Sequence, residues 1–101
     1  GDRGQFGNAE VDGPLALDVA LVPEMAEIKQ LKGSGVAGDA DCLVWPNLDS
    51  ANAFFKAATQ LIKAEMACMV VGTKAPCVLT SRGDTKLTKL YSIALNCLMA
   101  K

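Results

Sequence analysis

A chain of 101 residues is long enough for one small domain and too short for two. Half of it is hydrophobic and 21% is charged, which excludes a disordered chain. Ten Lys+Arg against eleven Asp+Glu leave a net charge of -1, and there is no histidine. This excludes the clustered positive charge that nucleic-acid binding needs, and it removes Ser-His-Asp or Cys-His nucleophiles and His-ligated zinc.

In chain order, residues 1–8 read as a loop and residues 9–11 as the end of a strand. Asp12-Gly13-Pro14 reads as a helix start, with Pro14 at the first helical position, where its missing N–H costs nothing. Residues 15–21 and 24–31 read as helical, Pro23 breaking or restarting the helix between them. Residues 32–41 are a Gly-rich loop. Residues 42–45 form an apolar run ended by Pro46, the pattern of a buried strand.

Asp49 is placed to cap a helix over residues 50–65, where Phe54, Ala57, Ala58, Leu61 and Ile62 recur at helical spacing. Residues 67–71 and 77–80 read as two further buried strands. The turn Gly72-Thr73-Lys74-Ala75-Pro76 is too short for a helical crossover, so the two should pair antiparallel. After the loop Ser81-Arg82-Gly83, Asp84 or Thr85 caps a last helix reaching to about Ala100. Leu87, Leu90, Tyr91, Ala94 and Leu98 line one face of it.

The order helix, strand, helix, strand, strand, helix is that of an α/β fold with a mixed sheet. Residues 1–101 are expected to be a single segment without an internal boundary. The strands and the last helix are apolar throughout, which calls for more sheet or another subunit to cover them. The opening GDRGQFGNAE lacks an initiator Met and a cleavable signal pattern, as expected of a chain that starts inside a larger protein. No apolar stretch approaches the roughly 20 residues that span a bilayer, so no membrane partner is expected.

Cys42, Cys68, Cys77 and Cys97 sit in apolar runs and form no C-x-x-C pair. They are expected to be free buried thiols in a reducing cytoplasm, neither catalytic nor metal-bound. Met25, Met66, Met69 and Met99 read as core fillers, and Trp45 as packing.

Three turns carry polar groups. Gly33-Ser34-Gly35-Val36-Ala37-Gly38 fits G-x-G-x-x-G, but a helix precedes it and a strand follows. Dinucleotide binding needs the reverse, so this is a connecting loop. Thr80-Ser81-Arg82-Gly83-Asp84 lies between a strand end and a helix start, the place where open α/β sheets bind ligands. Ser81 offers a hydroxyl, Gly83 permits close backbone approach, and Arg82 can grip phosphate with two parallel hydrogen bonds. An anion site and an ordinary capped turn with a solvated Arg82 both fit these residues. The RGD tripeptide within the turn would need a secreted display loop, which nothing else suggests. At the third, the strand-to-helix turn Pro46-Asn47-Leu48-Asp49-Ser50-Ala51-Asn52, Asn52 could reach the same anion with its amide. Lys56, one helical turn on, could supply it with charge or remain solvated.

These blocks, in order, resemble the C-terminal portion of the phosphate acetyl/butyryltransferase family over about residues 10–94. The matching words are EVDGPLALD at 10–18, VAGDAD at 36–41, WPNLDSAN at 45–52, GTKAPCVLTSR at 72–82 and KLYSIAL at 89–95. DGPLALD and TKAPCVLTSR are similar to the butyryltransferase branch. The resemblance implies a three-layer α/β sandwich with a mixed sheet, like isocitrate and isopropylmalate dehydrogenases, with a cleft between two domains. It implies transfer of a short acyl group, butyryl or similar, between coenzyme A and inorganic phosphate, by direct attack without an acyl-enzyme. Coenzyme A is then a substrate, and no covalently bound cofactor or metal is implied.

By the same resemblance, the partners are acyl-CoA, phosphate, the enzyme's N-terminal portion and further copies in a homodimer or larger homo-oligomer. With only one side of the cleft encoded, this chain alone is expected to be inactive. Ser81 and Arg82 occupy the family's Ser-Arg pair, the Ser near the reacting carbonyl and the Arg on phosphate; Gly83, Asn52 and Lys56, read from residue type and position alone, are taken as further binding residues. The acetyltransferase branch carries an aspartate about two helical turns past the Ser, where this chain has Thr88. Asp84 is the nearest carboxylate, as base or as helix cap. Two other readings stand beside this one: a non-catalytic α/β anion-binding or assembly domain, and a related acyltransferase using acyl carrier protein.

Overall fold

Helix α1 (Leu17–Leu21) begins only after Ala16, whose ψ of 148° is still extended. Pro14 therefore lies outside the helix that the sequence has it start. Pro23 does restart the chain as a helix, at the first position of α2 (Pro23–Ile28). That helix stops three residues before the expected Leu31. Gln30 turns left-handed at φ 55°, the Leu31 N–H reaches back to the Ala26 carbonyl at 3.2 Å, and the Gln30 N–H to that of Glu27 at 3.0 Å. This is a Schellman ending with Gln where glycine is usual. The computed structural model describes residues 3–31 and 33–100; the loop readings at Gly1, Asp2 and Lys32 lie outside them.

The described residues pack as two compact units, Gly1–Val44 and Trp45–Lys101. In the first, Val19, Ala20 and Ala26 are buried between α1, α2 and the loop that follows. The loop is bound to α1 like a strand to its neighbour: Gly38 N–H donates to the Val19 carbonyl at 2.8 Å, and Ala40 N–H to that of Ala20 at 3.1 Å. Gly38 stands at φ +84°, and a Cβ there would meet Pro23 Cα at 2.8 Å, so both conformation and space require glycine. Ser34 Oγ accepts from the N–H groups of Val36 and Ala37 at 3.2 and 3.0 Å. The G-x-G-x-x-G run is thus a tied connection.

In the second unit, α3 (Leu48–Lys56) is capped by Asn47 rather than by Asp49. Asn47 is extended, and its Oδ1 accepts from Ser50 N–H at 2.9 Å. The helix continues as a π-helical turn, Ala57–Leu61. Thr59 Oγ1 donates to the Phe55 carbonyl at 2.9 Å, occupying the acceptor that an α-turn would use. Lys63, left-handed at φ 61°, then ends the turn short of the expected Glu65. Leu61 and Ile62, which recur at helical spacing, are 80% and 76% exposed, and Phe54 is 36% exposed with its ring tilted against Trp45 at 4.9 Å.

Residues 42–45, 67–71 and 77–80 form no extended ladder among the described residues. One antiparallel bridge, Val70 to Cys77, joins the last two segments in the expected sense, with Val70 N–H on the Cys77 carbonyl at 3.1 Å. A strand needs a neighbour for its N–H and C=O groups, and here only the other arm of the turn supplies one. The expected burial of the cysteines fails, though the thiols are free as expected. Cys42, Cys77 and Cys97 are exposed, and Cys68 alone is half-buried; all four are free.

Of the two caps offered for helix α4 (Lys86–Met99), Thr85 is the one used, its Oγ1 accepting from Thr88 N–H at 3.1 Å. The face it buries is not the apolar one. Leu87, Leu90, Tyr91 and Leu98 are exposed, while Thr88, Ser92 and Asn96 are buried. Ser92 Oγ accepts from Cys68 N–H at 2.9 Å, and Asn96 Nδ2 donates to the Cys68 carbonyl at 3.1 Å. Ser92 and Asn96, spaced by four, thus satisfy the backbone of residue 68 as an adjoining strand would.

Candidate active site

The loop after residue 80 is fixed from within. Asp84 Oδ2 accepts from Ser81 N–H at 2.7 Å, and Asp84 N–H donates back to the Ser81 carbonyl at 3.1 Å. Arg82 and Gly83 form the exposed tip between these two bonds. Asp84 is therefore the closing residue of the turn, and Thr85 is the helix cap. The N–H of Ser81 is taken by a carboxylate and is not free for an anion.

From the other side comes Lys56, the last residue of α3. Its Nζ lies 3.0 Å from Ser81 Oγ and 5.1 Å from the centroid of the Phe55 ring. Capping by Asn47 fixes the start of α3, and the helix carries Lys56 to the loop. Asn52 is one turn earlier on the same helix and exposed, with no contact to residues 81–84 among the hydrogen bonds of the described residues. Of the six candidate residues, Ser81, Asp84 and Lys56 are thus joined directly. Arg82 and Gly83 project beside them, and Asn52 is left at a distance along α3.

Asp84 also lines an open cleft of about 240 Å³ with Thr59, Lys63, Glu65, Thr88 and Tyr91. Thr88 is the position where the resemblance places an aspartate in the acetyltransferase branch. It is buried and shares the cleft with Asp84. The charge of Asp84 reaches Cys68 as well: burial pushes the Cys68 thiol up from its ordinary range, and Asp84 adds to the effect against the Ser92 hydroxyl and the Lys56 charge. Among the described residues no group of three His, Cys, Asp or Glu side chains is placed to hold a metal ion, and no helix is long and apolar enough to cross a membrane.

Sequence reasoning missed Ser92 and Asn96, which hold the backbone of Cys68. The signal was present as Thr88, Ser92 and Asn96 at intervals of four along one helix.

A family model described as "Phosphate acetyl/butaryl transferase" matches residues 3–97. The chain belongs to the phosphate acetyl/butaryl transferase family. Over 99 residues it is 48% identical to the phosphate butyryltransferase of Clostridium acetobutylicum, covering 98% of this chain and 33% of that protein. It is 47% identical over 98 residues to the phosphate acetyltransferase of Thermotoga maritima, covering 97% of this chain and 33% of that protein. A phosphate acetyltransferase of Rhizobium meliloti is 43% identical over 99 residues. The chain spans about a third of the length of the curated relatives it matches. Identity does not separate the two acyl names within the phosphate acetyl/butaryl transferase family, since 48% and 47% stand side by side.

Proposed function

We propose that the whole protein carrying this chain transfers a short acyl group, butyryl or similar, between coenzyme A and inorganic phosphate. Family membership over residues 3–97 is the observation that carries this reading. It favours an enzyme over a non-catalytic anion-binding domain, because the relatives carry the names of phosphate acyltransferases.

A phosphate oxygen attacks the thioester carbonyl, the C–S bond breaks, and the CoA thiolate leaves and takes a proton; the reverse reaction uses the same path. No acyl-enzyme intervenes. Negative charge gathers on the carbonyl oxygen, so positioning and hydrogen bonding supply most of the catalysis. Ser81 donates its hydroxyl proton to that oxygen. Arg82, exposed at the loop tip, grips phosphate with its planar fork, and Gly83 lets the anion approach the backbone. Asn52 extends the anion site along α3. Asp84, with Oδ2 engaged by the loop, offers Oδ1 to the proton of the thiol in the reverse direction.

The fold proposed for the whole protein is the three-layer α/β sandwich with a mixed sheet. Support comes from the antiparallel bridge at Val70 and Cys77 and from apolar faces of α3 and α4 that remain open. Those faces also support association into a homodimer or larger oligomer, and the four free thiols support a cytoplasmic setting.

The test is release of CoA from butyryl-CoA by the whole protein, with and without phosphate. Phosphate-dependent release, with kcat/KM higher for butyryl-CoA than for acetyl-CoA, is expected. Absence of phosphate-dependent release would overturn the activity, and preference for acetyl-CoA would overturn the acyl assignment.

A further inference from the structure

We propose that Lys56 is a positioning residue that fixes the Ser81 hydroxyl as a hydrogen-bond donor to the reacting carbonyl. The inference rests on the acyl-transfer reading above and assigns Lys56 a role distinct from gripping phosphate.

An ammonium group has three donors and no acceptor. In the 3.0 Å contact, Lys56 Nζ therefore donates and Ser81 Oγ accepts. A serine hydroxyl has one proton and two lone pairs. With one lone pair held by Lys56, the proton turns away from α3 and is left to donate elsewhere. Accepting a bond from a cation also polarises the O–H group and strengthens it as a donor.

The rest of Ser81 is already tied: its N–H goes to Asp84 Oδ2 at 2.7 Å, and its carbonyl accepts from Asp84 N–H at 3.1 Å. Both backbone groups are used within the loop, so the hydroxyl proton is the donor Ser81 still has to offer. Lys56 is itself placed by two features, the last turn of α3 and the Phe55 ring 5.1 Å from its ammonium. Three groups thus set one O–H direction before any substrate arrives, the preorganisation that stabilises developing charge.

A double-mutant cycle in the whole protein tests this, with CoA release from butyryl-CoA and phosphate as the assay. Lys56→Met is expected to lower kcat about tenfold or more, the loss of one charged hydrogen bond, with the KM for phosphate changed less than about threefold. In the Ser81→Ala background the same change should cost little more, because the group Lys56 acts through is gone. Lys56→Gln keeps a neutral donor, and it covers the case in which the Met variant does not fold. It should lose less kcat than Met and show the same lack of further loss beside Ser81→Ala.

Losses that multiply in the double variants would overturn the inference. So would a loss confined to the KM for phosphate, which would make Lys56 an anion ligand, or an acyl group found on Ser81 by mass spectrometry, which would make the pair a nucleophile and its base. If the wild-type protein released no CoA in a phosphate-dependent way, the acyl-transfer reading itself would fall and take this inference with it.

Discussion

Asn96 and Cys68 lie 28 positions apart and are joined by a hydrogen bond of 3.1 Å from Asn96 Nδ2 to the Cys68 carbonyl. Ser92, one turn earlier on α4, accepts from the N–H of the same residue at 2.9 Å. A helix therefore meets both backbone groups of one residue in an extended segment, a task a neighbouring strand usually performs.

Replacing Asn96 or Ser92 by alanine removes the partner of a half-buried backbone group. Each is expected to lower the stability of the 101-residue chain by about 1–3 kcal/mol, read from the urea midpoint. Midpoints that do not move would show that these contacts contribute no net stability.

Cysteine reactivity should follow burial. Cys68 has its thiol pushed above the usual 9.0 by burial first and by the Asp84 charge second. A raised value means less thiolate at any given pH, so iodoacetamide at pH 8 should modify Cys68 more slowly than the exposed Cys42, Cys77 and Cys97. Raising the pH toward 10 should narrow the gap, because more of the Cys68 thiol then ionises. Asp84→Asn should speed the reaction at Cys68. Equal rates at all four sites in peptide mapping would contradict this account.

Lys29 Nζ sits 3.0 Å from Asp18 Oδ2 and joins α1 to the end of α2. The hydrogen bond from Lys29 holds the Asp18 carboxyl below its ordinary 3.8. A depressed carboxylate stabilises the fold above its unfolded value, and that stabilisation is lost as pH falls through the lower, folded value. The pair is exposed to solvent and screened, so the effect is small. An NMR titration of the Asp18 side chain should show a midpoint under 3.8, and Lys29→Met should return it upward. A midpoint unchanged by Lys29→Met would assign the depression to another cause.

Arg82→Lys keeps the charge at the loop tip and loses the planar fork. In the whole protein it should raise the KM for phosphate by roughly ten- to a hundredfold, equivalent to one lost charged hydrogen bond, while the thermal midpoint stays in place. Arg82 is exposed and carries little of the packing, so a fall in stability is not expected. An unchanged KM and kcat would make residues 81–84 an ordinary capped turn.

Helix existence was legible in this chain, and helix endings were not. The periodic residues of α3 and α4, a cap at Asp84 or Thr85 and a break or restart at Pro23 could all be read from residue type and spacing. Both overruns, to Leu31 and to Glu65, end on a left-handed residue that is not glycine, Gln30 and Lys63. Without glycine the sequence carries no mark of the turn, because the backbone bonds that reward it come from carbonyls already in place.

The candidate loop was legible too, since Ser81, Arg82 and Asp84 are neighbours in sequence. That Lys56 reaches Ser81 across 25 positions was not, because it depends on where α3 ends and how its last turn faces the loop. By itself, the sequence determined where helices form, the polar loop and the family words, while the strands read over 42–45, 67–71 and 77–80 reduce to one bridge among the described residues. Tertiary structure alone decided which face of α4 is buried. The apolar stripe of Leu87, Leu90 and Leu98 records a preference for any apolar cover, whereas Ser92 and Asn96 answer the backbone of one residue, Cys68. Periodicity measures hydrophobic area, which is non-directional. A buried hydrogen bond needs a particular partner at a particular distance, and only folding supplies it.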